Sequence, residues 1–507
     1  MRLFRRNALG LYAVYGAAVL SGLIVTPITL HAIGKGEFGV WKFIGGITIY
    51  VSLLDLGVGP SIVRFAAEAR GRGSTEDVNA LASVGLAIYA VIGLATIPLG
   101  AAIAWFVPEL VHMPAHLEWP ARICAFLVVM SLAARFPLGL FYNLLGGQQR
   151  FDVQNLGNLV STILYAALVA AILPRGGGLI FLGAVTFATT VIRLGIPLAW
   201  LRAEIPYLSL KRRYLSRSRA RELLQFSFSN FLIAMAQKIV FTTDVVVVGI
   251  VLGSQQTTLY AVPATLFAIA FGIGIAAQTL LFPAFAEYEG SGELDSQRRL
   301  LLTGVRAGTA GVTMLAMPFL FIPDRIIHAW IGRGYGPSTA VMILLGVVIL
   351  IHAPIALFIQ YLIARARQKA IAITLLATTG LNVVLSVVLA ATVGIWGVAL
   401  ATVVTDLIAL AIIAPYLVAP IAGLKPLDLA RALGRPLITG AIVAVPVLGL
   451  LGRALPDRHV WELAAPGLLW VIACGAALWR FGIAASDRAA VRREFFNRRP
   501  RAAEILD

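Results

Sequence analysis

Residues 34–73 read GKGEFGVWKFIGGITIYVSLLDLGVGPSIVRFAAEARGRG, and this stretch decides the fold. Its apolar run is long enough for a membrane helix, which needs about 20 such residues. Lys42 and Asp55 lie inside the run, and an Arg/Glu/Gly-rich loop ends it. Hydrocarbon tolerates such charges only where they face protein, water or a ligand, so each is a candidate functional group. The stretch also recurs. Adding 219 to each number gives residues 253–292, GSQQTTLYAVPATLFAIAFGIGIAAQTLLFPAFAEYEGSG. Without a gap, Gly34 falls on Gly253, Ala67 on Ala286, Glu68 on Glu287, Gly71 on Gly290 and Gly73 on Gly292. An internal repeat of this kind fixes an architecture before any single motif does.

The rest of the chain has the same character. Of its 507 residues, 59% are hydrophobic and 13% charged, against about half and about a quarter in soluble domains. The chain therefore reads as a polytopic all-α integral membrane protein. Its net charge of +17 lies in short loops between apolar runs, the pattern of a positive-inside bias rather than of a nucleic-acid binder. No nucleic-acid partner is expected. The two cysteines, Cys124 and Cys474, sit inside apolar runs and are expected to pack rather than to pair. The basic N-terminus, MRLFRRNA, leads into an apolar run without a clear cleavage site and reads as a retained first helix.

On the length rule the chain offers about 14 spans, beginning near Ala8, Phe38, Asn79, Pro120, Gln154, Gly178, Phe226, Thr258, Leu300, Ala340, Ala370, Ile395, Pro436 and Glu462. Arginine and lysine crowd one set of loops, including Lys211–Arg221 and the C-terminal tail. That puts both termini on the cytoplasmic side. The repeat lag continues: Gln149-Arg150 falls on Gln368-Lys369, Gly178 on Gly397 and Thr186 on Thr405. The expected organisation is an N-terminal lobe of helices 1–6 over 1–201 and a basic cytoplasmic linker over 202–224. A C-terminal lobe of helices 7–12 over 225–416 follows, then helices 13–14 over 417–482 and a basic tail over 483–507. An even repeat gives both lobes one orientation, and sites of such parallel repeats lie near the midplane.

Depth sorts the buried charges, at ~1.5 Å of rise per residue. Lys42 is within about two turns of the outer face, so it either snorkels to headgroups or faces a cavity. Arg64, Arg135, Arg193 and Arg306 lie in the inner parts of their helices, where snorkelling or carbonyl capping is the plainer reading. Lys238 and Asp406 are far from either end of their spans. Burying an unpaired charge there costs roughly 3 kcal/mol on insertion scales. Asp55 and Asp244 are intermediate. The simplest arrangement puts Lys42, Asp55, Lys238 and Asp244 on a wet cavity between the lobes; the alternative is a purely structural salt bridge. Amides and hydroxyls such as Asn143, Asn158, Ser227, Ser229, Asn230, Gln237 and Asn382 either bind sugar hydroxyls or glue helices together. Asp55, Asp244 and Asp406 are candidates for ion coupling, each able to carry a proton.

Soluble-enzyme signatures are missing. No Walker A loop, HExxH or Cys/His cluster occurs, so no enzyme activity, cofactor or metal is expected. His112 and His116 have metal-capable spacing in an outer loop, but two histidines alone fit a solvated loop better.

At its opening stretch the chain resembles the polysaccharide-flippase branch of the multidrug/oligosaccharidyl-lipid/polysaccharide (MOP) transporter superfamily. The residues that carry the resemblance are Arg6-Asn7, Gly34 with Phe38-Gly39-Val40-Trp41, Leu54-Asp55-Leu56-Gly57 and Arg64-Phe65-Ala66. It implies a two-lobed MATE-like carrier in a bacterial cytoplasmic membrane, turning polyprenyl-pyrophosphate-linked oligosaccharide to the outer leaflet by alternating access. It also implies a cationic cavity. Asp55 and Arg64 fall inside the matched motif; Lys42 and Lys238 join them from depth. Implied partners are the lipid-linked glycan, membrane lipids, and a polysaccharide polymerase and glycosyltransferases. Rival readings are a lipid II flippase or multidrug exporter of the same superfamily, and a non-transporting membrane assembly subunit.

Overall fold

The computed structural model describes residues 2–279, 281–454 and 464–483. Among these every regular element is helical. Among the described residues twelve helices are long and apolar enough to cross a membrane. The all-α membrane fold is thus observed, while the count of fourteen is not established. Two places account for the difference. Helix α1 (Arg2–Ser52) runs through Gly34, whose φ of 76° and ψ of 174° interrupt it, so two expected spans register as one. Helix α7 (Arg217–Leu252) contributes only the short apolar segment 242–252 among its described residues.

One compact unit comprises residues 1–262 with 390–398. Its further helices are α2 (Val58–Gly71), α3 (Thr75–Leu110), α4 (Glu118–Gly147), α5 (Phe151–Ile172) and α6 (Gly178–Glu204). Lipid tails are as apolar as leucine, so close packing rather than water exclusion holds membrane helices together. Small residues allow it here. Gly183 of α6 lies against the Cys124 backbone of α4, where a Cβ would come within 3.0 Å. Cys124 is fully buried in that seam, beside Ala125 and Val128. Outward-facing Val91 and Leu94, by contrast, are about 70% exposed, as a lipid-facing surface requires. At the N-terminus of α3 the Ser74 hydroxyl caps the Asp77 N–H, and Glu76 and Asp77 complement the helix dipole. Asp77 also takes ion pairs from Arg72 and Arg219, while Asn79 accepts the Ser209 N–H, so the linker is pinned to α3.

The second unit comprises residues 263–389 and 399–507, so far as described. It includes the rest of α8 (Ser254–Thr279), then α9 (Phe282–Gly290), α10 (Leu294–Phe321), α11 (Pro323–Ile331), α12 (Ser338–Ala364) and most of α13 (Gln368–Val393) and α14 (Ile395–Ile412). A π-helical segment, Ile413–Val418, and the short α15 (Ala419–Ile421) follow, then α16 (Pro426–Ala454) and α17 (Ala464–Ala477). Cys474 of α17 is fully buried beside Met317 and Leu448. The tail from 484 onward lies outside the described residues.

The repeat is visible in the backbone. Gly34 and Gly253 share an unusual conformation, φ near +80° with extended ψ. After α2, the N–H groups of Arg72, Gly73 and Ser74 donate to the carbonyls of Glu68, Arg70 and Ala69. After α9, those of Ser291, Gly292 and Glu293 donate to Glu287, Glu289 and Tyr288. The three bonds match at the 219-residue lag, and Gly73 and Gly292 are both left-handed. At the loop after α4 the lag shortens to 217. There Gln149 (φ 60°) matches Ala366 (φ 55°), each with the same pattern of helix-ending bonds. The pairing of Gln149-Arg150 with Gln368-Lys369 is therefore corrected to Ala366-Arg367. The physical reason is that backbone conformation, not residue identity, defines a helix C-terminus.

Candidate functional site

The apolar run from Phe38 to Arg64 is not one helix. It breaks after Ser52 into a 3₁₀ turn, Leu53–Asp55, then passes through left-handed Leu56 and Gly57 before α2 starts at Val58. Pro60 falls in the first turn of α2, where its missing N–H needs no partner. The break carries Asp55 to a helix start, and the Gly59 N–H donates to its Oδ2 at 3.4 Å. Oδ1 accepts a 2.6 Å hydrogen bond from the Tyr89 hydroxyl of α3. Asn143 of α4 donates in turn to Tyr89 Oη at 3.4 Å.

These groups line a polar cavity of about 190 Å³ inside the first unit. Arg135 of α4 and Arg193 of α6 share its wall with Tyr142, while Leu132, Phe136 and Leu194 supply apolar surface. Among the described residues neither arginine forms an ion pair, and Arg193 Nε is buried without an acceptor. Tyr142 Oη accepts from Asn158 at 3.1 Å, which leaves its own proton to donate elsewhere. Two fixed cations thus face one carboxylate that is already engaged by hydrogen bonds. A guanidinium presents a planar fork of donors suited to carboxylate or phosphate, so this cavity suits an oxyanion and repels a cation.

The other expected residues lie elsewhere in the same unit. Lys42 of α1 is half-buried, with Nζ 5.2 Å from the Phe38 ring centroid. Arg64 is exposed, 4.1 Å from the Phe226 ring centroid, and donates from Nε to Glu68 at 2.8 Å. Asp244 is buried and accepts from the Tyr260 hydroxyl at 2.6 Å. Beside it, Tyr50 and Thr243 hydroxyls are 2.5 Å apart. The structure therefore joins Asp55 to Arg135 and Arg193, and lines that cavity with none of Lys42, Arg64 or Asp244. The side chains of Lys238, Ser229, Asn230 and Gln237 lie outside the described residues. In the second unit Asp406 of α14 meets His352 of α12 at 3.0 Å. Among the described residues no group of three or more His, Cys, Asp or Glu could hold a metal.

The Tyr260–Asp244 bond has a measurable weight. A hydrogen bond to a charged group contributes about 1.5–3 kcal/mol. Tyr260→Phe should lower the thermal midpoint of the purified protein accordingly, because a buried carboxylate loses a donor. An unchanged midpoint would show that other groups hold the Asp244 carboxylate equally well without the tyrosine.

Comparison with known proteins places this geometry in context. The chain is 23% identical to "Uncharacterized membrane protein EpsK" of Bacillus subtilis (strain 168) over 424 residues, covering 80% of this chain and 81% of that one. It is 24% identical over 343 residues to "Putative O-antigen transporter" of Salmonella typhi, covering 64% of this chain and 75% of that protein. Among solved structures it superposes on lipid II flippase MurJ, in an inward closed conformation, with a TM-score of 0.73 at 14% identity. That match covers 93% of this chain and 99% of MurJ, and shows a shared fold. Residues 4–289, more than half of the sequence, match the family defined as Polysaccharide biosynthesis protein. The chain belongs to the polysaccharide biosynthesis protein family.

Proposed function

We propose that the chain carries polyprenyl-pyrophosphate-linked oligosaccharide from the inner to the outer leaflet of a bacterial cytoplasmic membrane, for surface polysaccharide export. One observation carries the reading: the polar cavity that sets Arg135 and Arg193 beside Asp55. A polyprenyl pyrophosphate bears negative charge that hydrocarbon rejects, and paired guanidiniums compensate charge of that kind. Tyr89, Tyr142 and Asn143 offer hydroxyl and amide groups for sugar hydroxyls. The prenyl tail would remain in the bilayer throughout. Lys42, Arg64 and Lys238 would assist along the substrate's path, and Asp55 and Asp244 are further candidates for ion coupling. Both termini would be cytoplasmic, with the basic linker over 202–224 joining lobes 1–201 and 225–416. A glycan polymerase and glycosyltransferases would work alongside it.

The name of the Salmonella typhi relative, "Putative O-antigen transporter", supports the same substrate class. An exporter of cationic drugs fits the cavity less well, because two arginines repel such cargo.

The test is rescue. The gene would be expressed in cells lacking their own surface-glycan flippase, and in parallel in cells depleted of their lipid II flippase. Restored surface glycan in the first and continued lysis in the second is the expected result. Rescue of the second alone would reassign the substrate to lipid II. Rescue of neither, in a correctly inserted protein across several glycan backgrounds, would leave the assembly-subunit reading.

A further inference from the structure

Among the described residues, His352 and Asp406 form a further pair of ionisable groups deep in a bundle. Each lies near the middle of its helix, α12 and α14 respectively. Imidazole Nδ1 and carboxylate Oδ2 are 3.0 Å apart, with side chains only 14% and 8% exposed. The Phe271 ring of α8 meets the imidazole edge-on at 5.3 Å between centroids and covers it with apolar surface.

We propose that this pair is a proton-binding site that couples the transport cycle to a pH gradient; the inference rests on the reading of the chain as a transporter. Imidazolium beside carboxylate sums to zero charge. Proton loss leaves a net negative charge in a medium that strongly disfavours one. In the proposed cycle the pair holds a proton while packed and passes it on when the helices part and water enters. In that step an imidazole N–H bond breaks, the electron pair stays on nitrogen, and a water molecule takes the proton. On reclosure the reverse step reloads the pair from the other side.

The backbone around the pair can move. Pro354 interrupts the hydrogen-bond ladder of α12 two residues after His352. Beyond Asp406, α14 passes into the π-helical segment Ile413–Val418, a geometry often found at functional positions. The repeat adds a separate argument. At the 217-residue lag fixed by Gln149 and Ala366, Arg135-Phe136-Pro137 of α4 falls on His352-Ala353-Pro354 of α12. One half carries a group that never loses its charge, which suits holding an anion. The other carries, at the same helical position, an imidazole, whose charge changes with a single proton.

The ionisable groups on the packed helices mostly sit at helix ends. Glu289 of α9 pairs with Arg365 at the end of α12. Asp324, Arg325 and His328 belong to α11, at the opposite end, and Asp295, Arg298 and Arg299 to the first turns of α10. Tyr416 lies in the π segment and Lys369 at the start of α13. Arg306, midway along α10, is a fixed cation on a helix packed against α12.

Two measurements test the site. The first is an infrared pH titration of the purified full chain in lipid. A coupled imidazole–carboxylate step is expected in the unaltered protein and its loss in both His352→Gln and Asp406→Asn. The second uses membrane vesicles from rescued cells, with the voltage clamped by potassium and valinomycin and an imposed pH gradient. The probe is the rescued strain's own lipid-linked glycan. Export should follow the gradient and fall at least tenfold in either variant at equal protein amount. His352→Arg, carrying a permanent charge, should bind glycan yet fail to turn over. Variants that titrate and export like the unaltered chain overturn the proposal, as does export that follows sodium and ignores pH. If the unaltered chain rescues no strain, the transport reading fails, and the infrared step still decides whether the pair binds a proton.

Discussion

Replacing Arg135 and Arg193 together with glutamine should reduce glycan export by a hundredfold or more, with the protein still present in the membrane. Each hydrogen bond to a charged partner contributes about 1.5–3 kcal/mol. Loss of one such interaction at each arginine removes roughly 3–6 kcal/mol, a factor of about 10² to 10⁴ in affinity for an oxyanion. Glutamine keeps length and polarity, so packing of α4 and α6 should survive. The measurement is surface glycan against lipid-linked precursor retained in the inner leaflet. Single variants should give intermediate losses, since both arginines line one cavity. Lysine at both positions keeps charge without the fork and should recover part of the export. Export unchanged in the double glutamine variant would remove the cavity from the substrate path.

The second large effect concerns folding. A Cβ added at Gly39 would lie 1.7 Å from the Ser254 carbonyl oxygen and 2.6 Å from its carbon. Backbone cannot swing aside as a side-chain tip can. The contact is fastened nearby, where the Thr258 hydroxyl donates to the Lys35 carbonyl at 2.5 Å. Overpacking usually costs about 1–3 kcal/mol. A clash of backbone against backbone should exceed that range and reach the 4–5 kcal/mol or so that marks exceptional substitutions. Gly39→Ala should therefore yield little folded protein, and Gly39→Val none, judged by size-exclusion profile and thermal midpoint in detergent. Gly195→Ala is the control, because nothing lies within 4 Å of the added atom. Equal yields for Gly39→Ala and Gly195→Ala would contradict the close approach.

Much of this architecture can be read before any coordinates. Apolar runs and basic loops announce a polytopic helical membrane protein, and Gly34, Gly73, Gly253 and Gly292 mark the repeat because a left-handed position selects glycine. Hydropathy averaging hides the break at Leu53–Gly57. Its signals, Gly57 and Pro60, lie inside a run that remains apolar throughout. Asp55 stands out as a charge in such a run. Depth alone assigns Arg135 and Arg193 to snorkelling, because it gives distance from water and not the identity of neighbours. Their shared cavity depends on Tyr89, 34 residues beyond Asp55 in sequence, and on Asn143, 54 beyond Tyr89. Asp406 likewise announces itself as a deep carboxylate, but its partner is another 54 residues away. His352 resembles many a packed histidine until the repeat aligns it with Arg135. Long-range pairings of this sort are set by tertiary packing, which no local pattern encodes.

The two thiols have a practical consequence. Cys124 and Cys474 are each sealed inside a helix seam, and the chain has no other cysteine. Maleimide dyes and spin labels reach solvent-facing sulfur, so the unmodified chain should be nearly silent toward them. A single cysteine introduced at an exposed loop position then becomes a site-selective handle without a cysteine-stripped background. Both native residues can stay, and with them the tight seams they fill. Distances between engineered pairs could be followed spectroscopically through a working cycle in an otherwise native molecule.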